Sequence, residues 1–262
     1  PHHFAWQFGW PEMVAAVDGV VPDPEKEVDV VKRTGYRQAL AYMGLKPGTP
    51  IRAIVRQDIV DIMLISASNM ERLSDEGLFK DSPVKPAIRA NDTTDVWVVR
   101  GAGYSKQPSR PFRSANLARV MHGGLRPSPG TPVTGTELGL YSVTFNNDLD
   151  HDYASLEAFG AFREDAARNG CKYFLEVFNP NVDCKIDPEQ IPFYVNDCLM
   201  RCIAGVTKAD RPQFLKIPFN GPKALDELAS YDPSVIVGVL GGGAGTTQIV
   251  VRQVEKIETA IE

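Results

Sequence analysis

From residue 58 onward, short apolar runs alternate with stretches whose apolar residues recur every three or four positions. "DIVDIMLISAS" (58–68) predicts a strand ending in small polar residues, and "NMERLSDEGL" after it a short helix or turn. "KPAIRANDTTDVWVVRGAG" (85–103) predicts one or two strands broken by a polar turn. "LGLYSVTFNND" (138–148) is a strand, and it is followed by the amphipathic helix "DYASLEAFGAFREDAARNG", for which Gly170 is the stop. Then come the strand "KYFLEVFN" (172–179), the helix "IPFYVNDCLMRCIAGV" (191–206) and the strand "QFLKIPF" (213–219). The helix "PKALDELASY" (222–231) and the strand "SVIVGVLGGG" (234–243) complete the series.

Alternation at this spacing predicts right-handed βαβ units and a parallel sheet. The expected architecture is a (β/α)8 TIM barrel with extra N-terminal helices, forming one domain over residues 1–262. Its parts are an N-terminal helical part (1–57), the barrel strands and helices (58–247) and a C-terminal helix (248–262). After "GVLGGGAGTT" only that helix remains, so the count leaves strand 8 missing and points to a junction near Gln248–Ile249. The segment 104–135 is long, basic and rich in Pro and Gly. Because it follows a strand, a barrel would lay it over the C-terminal face, where sites are built.

Composition narrows the function classes. With 43% hydrophobic residues a chain of 262 can bury a large core. The 28 basic residues against 33 acidic ones leave a net charge of -5, which argues against nucleic acid as the main partner. No apolar run approaches 18 residues, and no charged-then-apolar leader is found, so a membrane partner is not expected. Cys171, Cys184, Cys198 and Cys202 include no CxxC pair and read as reduced thiols of a cytoplasmic protein.

The candidate chemistry lies in the polar residues that end or interrupt apolar strands. They are Ser66 and Ser68; Arg89, Asn91 and Asp92; Arg100; Asn146, Asn147 and Asp148; Glu176 and Asn179; Lys216 and Asn220. Residues at the carboxyl ends of parallel strands converge on one site. Glu176 in "YFLEVF" and Lys216 in "FLKIPF" differ from the rest, because each sits inside its apolar run. They lie at similar depth on successive strands, so both can point into one interior and meet. A buried ion pair that only fills space contributes little to stability over apolar side chains. A lysine in a dry site, by contrast, loses its charge readily and becomes a nucleophile toward carbonyls, with a nearby carboxylate to shuttle protons. The run Gly241, Gly242, Gly243 and Gly245 follows a strand, and its backbone N–H groups could cradle a phosphate. It is neither a Walker loop nor a clean GxGxxG.

The segments "LGLYSVTFNNDLDHDYASLEAFGAFREDAARNGCKYFLEVF", "QFLKIPF" and "VIVGVLGGGAG" together resemble the class I aldolases of the tagatose-1,6-bisphosphate aldolase type. More distantly they are similar to the deoxyribose-phosphate and class I fructose-bisphosphate aldolases. The resemblance spans roughly residues 58–247 and implies a lysine on strand 6 that forms a Schiff base. It also implies a glutamate on strand 5, in a similar "FLE" context, that handles protons. Lys216 matches the first position and Glu176 the second, and 241–245 falls where a sugar-phosphate group would bind. Two positions depart from the pattern. "LISASN" offers serines and Asn69 where an aspartate is expected, and "GLYSVTF" lacks a lysine at its start. Arg89, Arg100, Arg110 or Arg113 could replace the missing positive charge.

The function expected is that of a class I aldolase-type lyase of carbohydrate metabolism, acting on a phosphorylated or otherwise anionic sugar. Lys216 and Glu176 are the catalytic pair, and Asn146, Asn179, Arg89 and Ser66 are the substrate-binding candidates. Neither metal nor cofactor is expected, and a homo-oligomer is compatible with this reading. An isomerase or epimerase using the same pair as acid and base, and a catalytically inactive metabolite-binding barrel, stay open as alternatives.

Overall fold

The computed structural model describes residues 4–6, 49–58, 60–92 and 106–240. The strands there are β1 (Phe4–Trp6), β2 (Ile62–Ile65), β3 (Lys85–Arg89), β4 (Asn91–Asp92), β5 (Phe112–Arg113), β6 (Leu138–Thr144), β7 (Lys172–Phe178), β8 (Leu215–Ile217) and β9 (Val237–Val239). The helices are α1 (Thr49–Gln57), α2 (Ala67–Asp75), α3 (Leu117–His122), α4 (Leu149–Asn169), α5 (Ile191–Ile203) and α6 (Pro222–Tyr231). Seven strands form one parallel sheet in the order β1-β2-β3-β6-β7-β8-β9, and β4 pairs antiparallel with β5. Sequence order is kept across the whole sheet. Right-handed crossovers that always step the same way leave their helices on one face.

The closed (β/α)8 barrel expected from the sequence is not what forms. The described strands make an open half-barrel sheet, in which β1 is bonded to β2 alone and β9 to β8 alone. Closing a barrel requires the two edge strands to bond to each other, and no such pair exists among the described residues. The N-terminal part is not purely helical either, since β1 opens the sheet and α1 is the helix described there. Counting β1, Glu176 stands on the fifth strand of the sheet and Lys216 on the sixth. The serines of "LISASN" follow the second strand of the sheet. The stretch 7–48 of the expected N-terminal helical part, the stretch of 85–103 beyond Asp92, the Gln248–Ile249 junction and the C-terminal helix lie outside the described residues.

The sheet's two faces have different jobs, and strand alternation assigns them. Tyr141, Val143, Tyr173, Leu175 and Val177 point toward the helices and pack with Phe159 and Phe162 of α4, Val195 and Leu199 of α5, and Leu228 of α6. Phe162 is the keystone there. Its ring stacks on Tyr141 at 4.4 Å and meets Tyr173 edge-on at 5.2 Å, which fastens α4 to both strands it connects. The opposite face carries a separate apolar cluster built from strands alone: Leu64, Ala87, Leu140 and Phe174, with Phe214 stacked on Phe174 at 4.4 Å.

Local sequence fixes the longest of the described helices, α4, at both ends. The Asp148 carboxylate accepts from the N–H of His151 at the start of α4, and Gly170 stops the helix with φ 71°, a left-handed conformation that glycine adopts without strain. Among the described residues no helix is long and apolar enough to cross a membrane, and the four cysteines are all free thiols.

Truncating the keystone ring tests this arrangement. Phe162→Ala should lower the unfolding free energy by about 3–5 kcal/mol, as for other buried aromatic truncations. Urea titration followed by circular dichroism reads the change. Because Phe162 lies on the helix face, the folded variant should keep the Lys216 titration described below.

Candidate active site

Above the strand-only apolar cluster lies a polar layer. In the register of the parallel sheet Ser142 stands beside Glu176, and Glu176 beside Lys216. Each is two residues past an apolar floor residue, namely Leu140, Phe174 or Phe214, so all three project from the face away from the helices. The two embedded charges meet. Lys216 Nζ lies 2.9 Å from Glu176 Oε1, with the two side chains 3% and 0% exposed. Among the described residues Oε1 has no partner apart from that ammonium.

The other carboxylate oxygen is held differently. Ser142 Oγ donates to Glu176 Oε2 at 2.9 Å, and Arg89 Nη1, from the end of β3, lies 3.8 Å from the same oxygen. Arg89 Nη1 also donates to Ser142 Oγ at 3.4 Å. Ser142 is in turn fixed by Asn91, whose side chain is fully buried. The Asn91 amide donates to the Ser142 carbonyl at 2.8 Å, and its Oδ1 accepts from the Ser142 N–H at 2.7 Å. That exchange has a structural cause. β3 pairs with β6 only as far as Leu140, after which the chain turns off into β4. Asn91 supplies with its side chain the donor and acceptor that a continuing strand would have given Ser142, and so prevents two buried orphans.

Electrostatics tune the lysine. Burial strips water from the ammonium and brings its pKa down to about 8. The Glu176 charge and hydrogen bond oppose that fall, while the Arg89 cation adds to it. A group of that pKa is neutral in roughly one molecule in ten at pH 7. The arrangement therefore offers a scarce but real buried amine beside a carboxylate able to exchange its proton.

The remaining expected residues sit at the carboxyl ends of the strands, where they have local work. Asn146 is buried beyond β6; its N–H donates to Asp152 Oδ1 and its Oδ1 accepts from the Asn181 N–H. Asn146 Nδ2 is buried with no partner among the described residues. Asn179 and Asn220 exchange amide hydrogen bonds of 2.9 and 2.8 Å, tying the chain beyond β7 to the chain beyond β8. Ser66 caps α2, its Oγ accepting from the Asn69 N–H. Of the arginines offered as replacement cations, Arg89 reaches the pair. Arg113 binds Asp165 on α4 instead, and Arg110 donates to His151. Arg100 and Gly241, Gly242, Gly243 and Gly245 lie outside the described residues. The basic segment is not a plain loop. It contains β5 and α3, and Asn181 anchors it near the end of β7 through Ser109 N–H and the Gln107 carbonyl.

Ser142 escaped the sequence reading because a serine in "GLYSVTF" carries no charge to mark it. The signal was positional: Ser142 is four residues past Leu138 as Glu176 is four past Lys172, and those two starting residues are register partners. No protein-family model matches the chain.

The two charges beside Lys216 should move its titration in opposite directions. Glu176→Gln removes the group that raises the amine's pKa and should shift it down by roughly one to three units. Arg89→Met removes a group that lowers it and should shift it up. Reductive methylation of Lys216 with formaldehyde and cyanoborohydride, followed against pH by peptide mass spectrometry, gives the midpoints. The wild-type rate should climb with pH and level off above about 8. Shifts of the same sign in both variants would rule out this charge arrangement.

Proposed function

We propose that the chain is a class I aldolase-type lyase, making or breaking a carbon–carbon bond in a phosphorylated or otherwise anionic sugar through a Schiff base on Lys216. The observation that carries this reading is the buried amine, with its pKa near 8, lying 2.9 Å from a buried carboxylate. A pair like this is a weak device for stability. It suits amine catalysis well, because the reaction replaces one cation with another in the same place.

The proton balance runs through the pair. Glu176 takes a proton from the Lys216 ammonium, and the neutral amine adds to the substrate carbonyl. The carbonyl oxygen leaves as water, taking with it two of the three ammonium protons. What remains is an iminium cation beside the Glu176 carboxylate, so the buried charges are the same as at the start. When the carbon–carbon bond of an aldol breaks, its electron pair flows into the iminium and gives a neutral enamine. The hydroxyl proton passes to Glu176 as that carbon becomes an aldehyde. Protonation of the enamine and addition of water then reverse the first steps and release Lys216. Asn146, with a buried unpartnered amide hydrogen-bond donor, supports a role in holding a substrate oxygen. The free thiols suit a reducing compartment such as the cytoplasm.

Incubation with a panel of sugar phosphates and borohydride should add the mass of one substrate, less its oxygen, to the peptide containing Lys216. Lys216→Met should abolish tethering and cleavage, and so should Lys216→Arg, whose guanidinium stays protonated. Cleavage that persists in either variant would remove Lys216 from the chemistry. Turnover without tethering would favour an isomerase in which the pair acts only as acid and base.

A further inference from the structure

We propose that Asn91 and Ser142 form a positioning relay that reserves one oxygen of Glu176, Oε1, for proton exchange at the nitrogen of Lys216. The proposal rests on the Schiff-base reading above.

The direction of each hydrogen bond follows from what each group can do. A guanidinium has donors and no acceptor. At 3.4 Å from Arg89 Nη1, Ser142 Oγ is therefore the acceptor, and its one hydrogen is left for Glu176 Oε2 at 2.9 Å. Oε2 thus faces an O–H hydrogen on one side and a guanidinium on the other. A proton placed on Oε2 would point into those donors. Among the described residues, a proton placed on Oε1 meets only the lysine nitrogen, 2.9 Å away. The same carboxylate is thereby split into an oxygen that stays an acceptor and an oxygen that exchanges protons.

Asn91 makes the split dependable. Ser142 stands where β6 has lost the cover of β3, and on that side its backbone N–H and carbonyl are bonded to the amide of Asn91. Both bonds are short and both groups are fully buried. Fixing the Ser142 backbone fixes where Oγ begins, and with it which oxygen of Glu176 it holds. In the proposed steps, Oε1 accepts a proton from the ammonium and delivers one to the departing hydroxyl of the carbinolamine. The carbon–oxygen bond breaks as the nitrogen lone pair forms the iminium, and one water leaves.

Imine formation can be timed by quenching with borohydride at set intervals, over a range of concentrations of three probes: dihydroxyacetone phosphate, pyruvate and acetaldehyde. Ser142→Ala and Asn91→Ala should slow imine formation at saturating probe by about 10–100-fold, within the range that a misplaced general acid–base group costs. The half-saturating concentration should stay within about twofold. Ser142→Thr, which keeps the hydroxyl, should recover the rate to within about threefold. Circular dichroism confirms that each variant is folded, and Ser142→Ala, which loses a single oxygen, is the deciding one. A wild-type rate in folded Ser142→Ala overturns the relay, as does a loss confined to the half-saturating concentration. A wild-type rate in Asn91→Ala with a slow Ser142→Ala removes Asn91 from it. If wild-type protein tethers none of the three probes, the Schiff-base reading fails and the relay with it. Tethering with an unchanged Ser142→Ala rate leaves that reading standing and sinks the relay alone.

Discussion

An ammonium and a carboxylate sharing a dry site at 2.9 Å are the constraint around which the rest of the structure is arranged. Taking either charge out of water alone would be prohibitive. Together they still need further polar partners, because each ion loses more hydration than a single contact returns. At Glu176 the surrounding residues supply them. Ser142 and Arg89 attend Oε2, while Oε1 is left to the lysine. The two oxygens are thus held by different kinds of group, a hydroxyl with a guanidinium nearby on one and the ammonium on the other.

That site is placed by a division of labour between the faces of one sheet. The helix-facing residues make the large aromatic core, with Phe162 bridging Tyr141 and Tyr173. The other face begins as an apolar floor of Leu140, Phe174 and Phe214 and becomes polar one pleat further on, at Ser142, Glu176 and Lys216. The floor lowers the local dielectric beneath the charges, which strengthens their mutual attraction and also depresses the lysine pKa. The outcome for Lys216 is a balance, with desolvation the largest influence and the Glu176 charge opposing it.

The departure of β3 from the sheet is the second structural event that matters. Where β3 turns away after Arg89, the guanidinium is delivered to the charged pair and the Asn91 amide takes over the backbone of Ser142. The small antiparallel pairing of β4 with β5 then carries the chain toward α3, whose Leu117 and Met121 join the core. A sheet that kept β3 straight would leave Ser142 bonded to ordinary backbone, with nothing to bring Arg89 and Asn91 to it together.

Much of this could be read along the chain. The period of the apolar residues marked β6, α4, β7, α5, β8 and α6, and Gly170 marked the end of α4, because those signals are local and each element is long or sharply capped. Glu176 and Lys216 stood out for a related reason: a charge in the middle of an apolar run contradicts its surroundings and asks for a partner. The open half-barrel did not show in the same way, since whether a sheet closes depends on bonds between its first and last strands, and βα alternation is the same in open and closed forms. Nor did the roles of Ser142, Asn91 and Arg89. A serine in a strand and an asparagine in a turn are unremarkable by composition, and 51 positions separate Asn91 from the backbone it holds. The sequence by itself determined the elements and the two charges that had to find each other. Only the tertiary structure decided which oxygen of Glu176 is held and which is left to the lysine, because that choice is made by strand register and by the point at which β3 leaves the sheet.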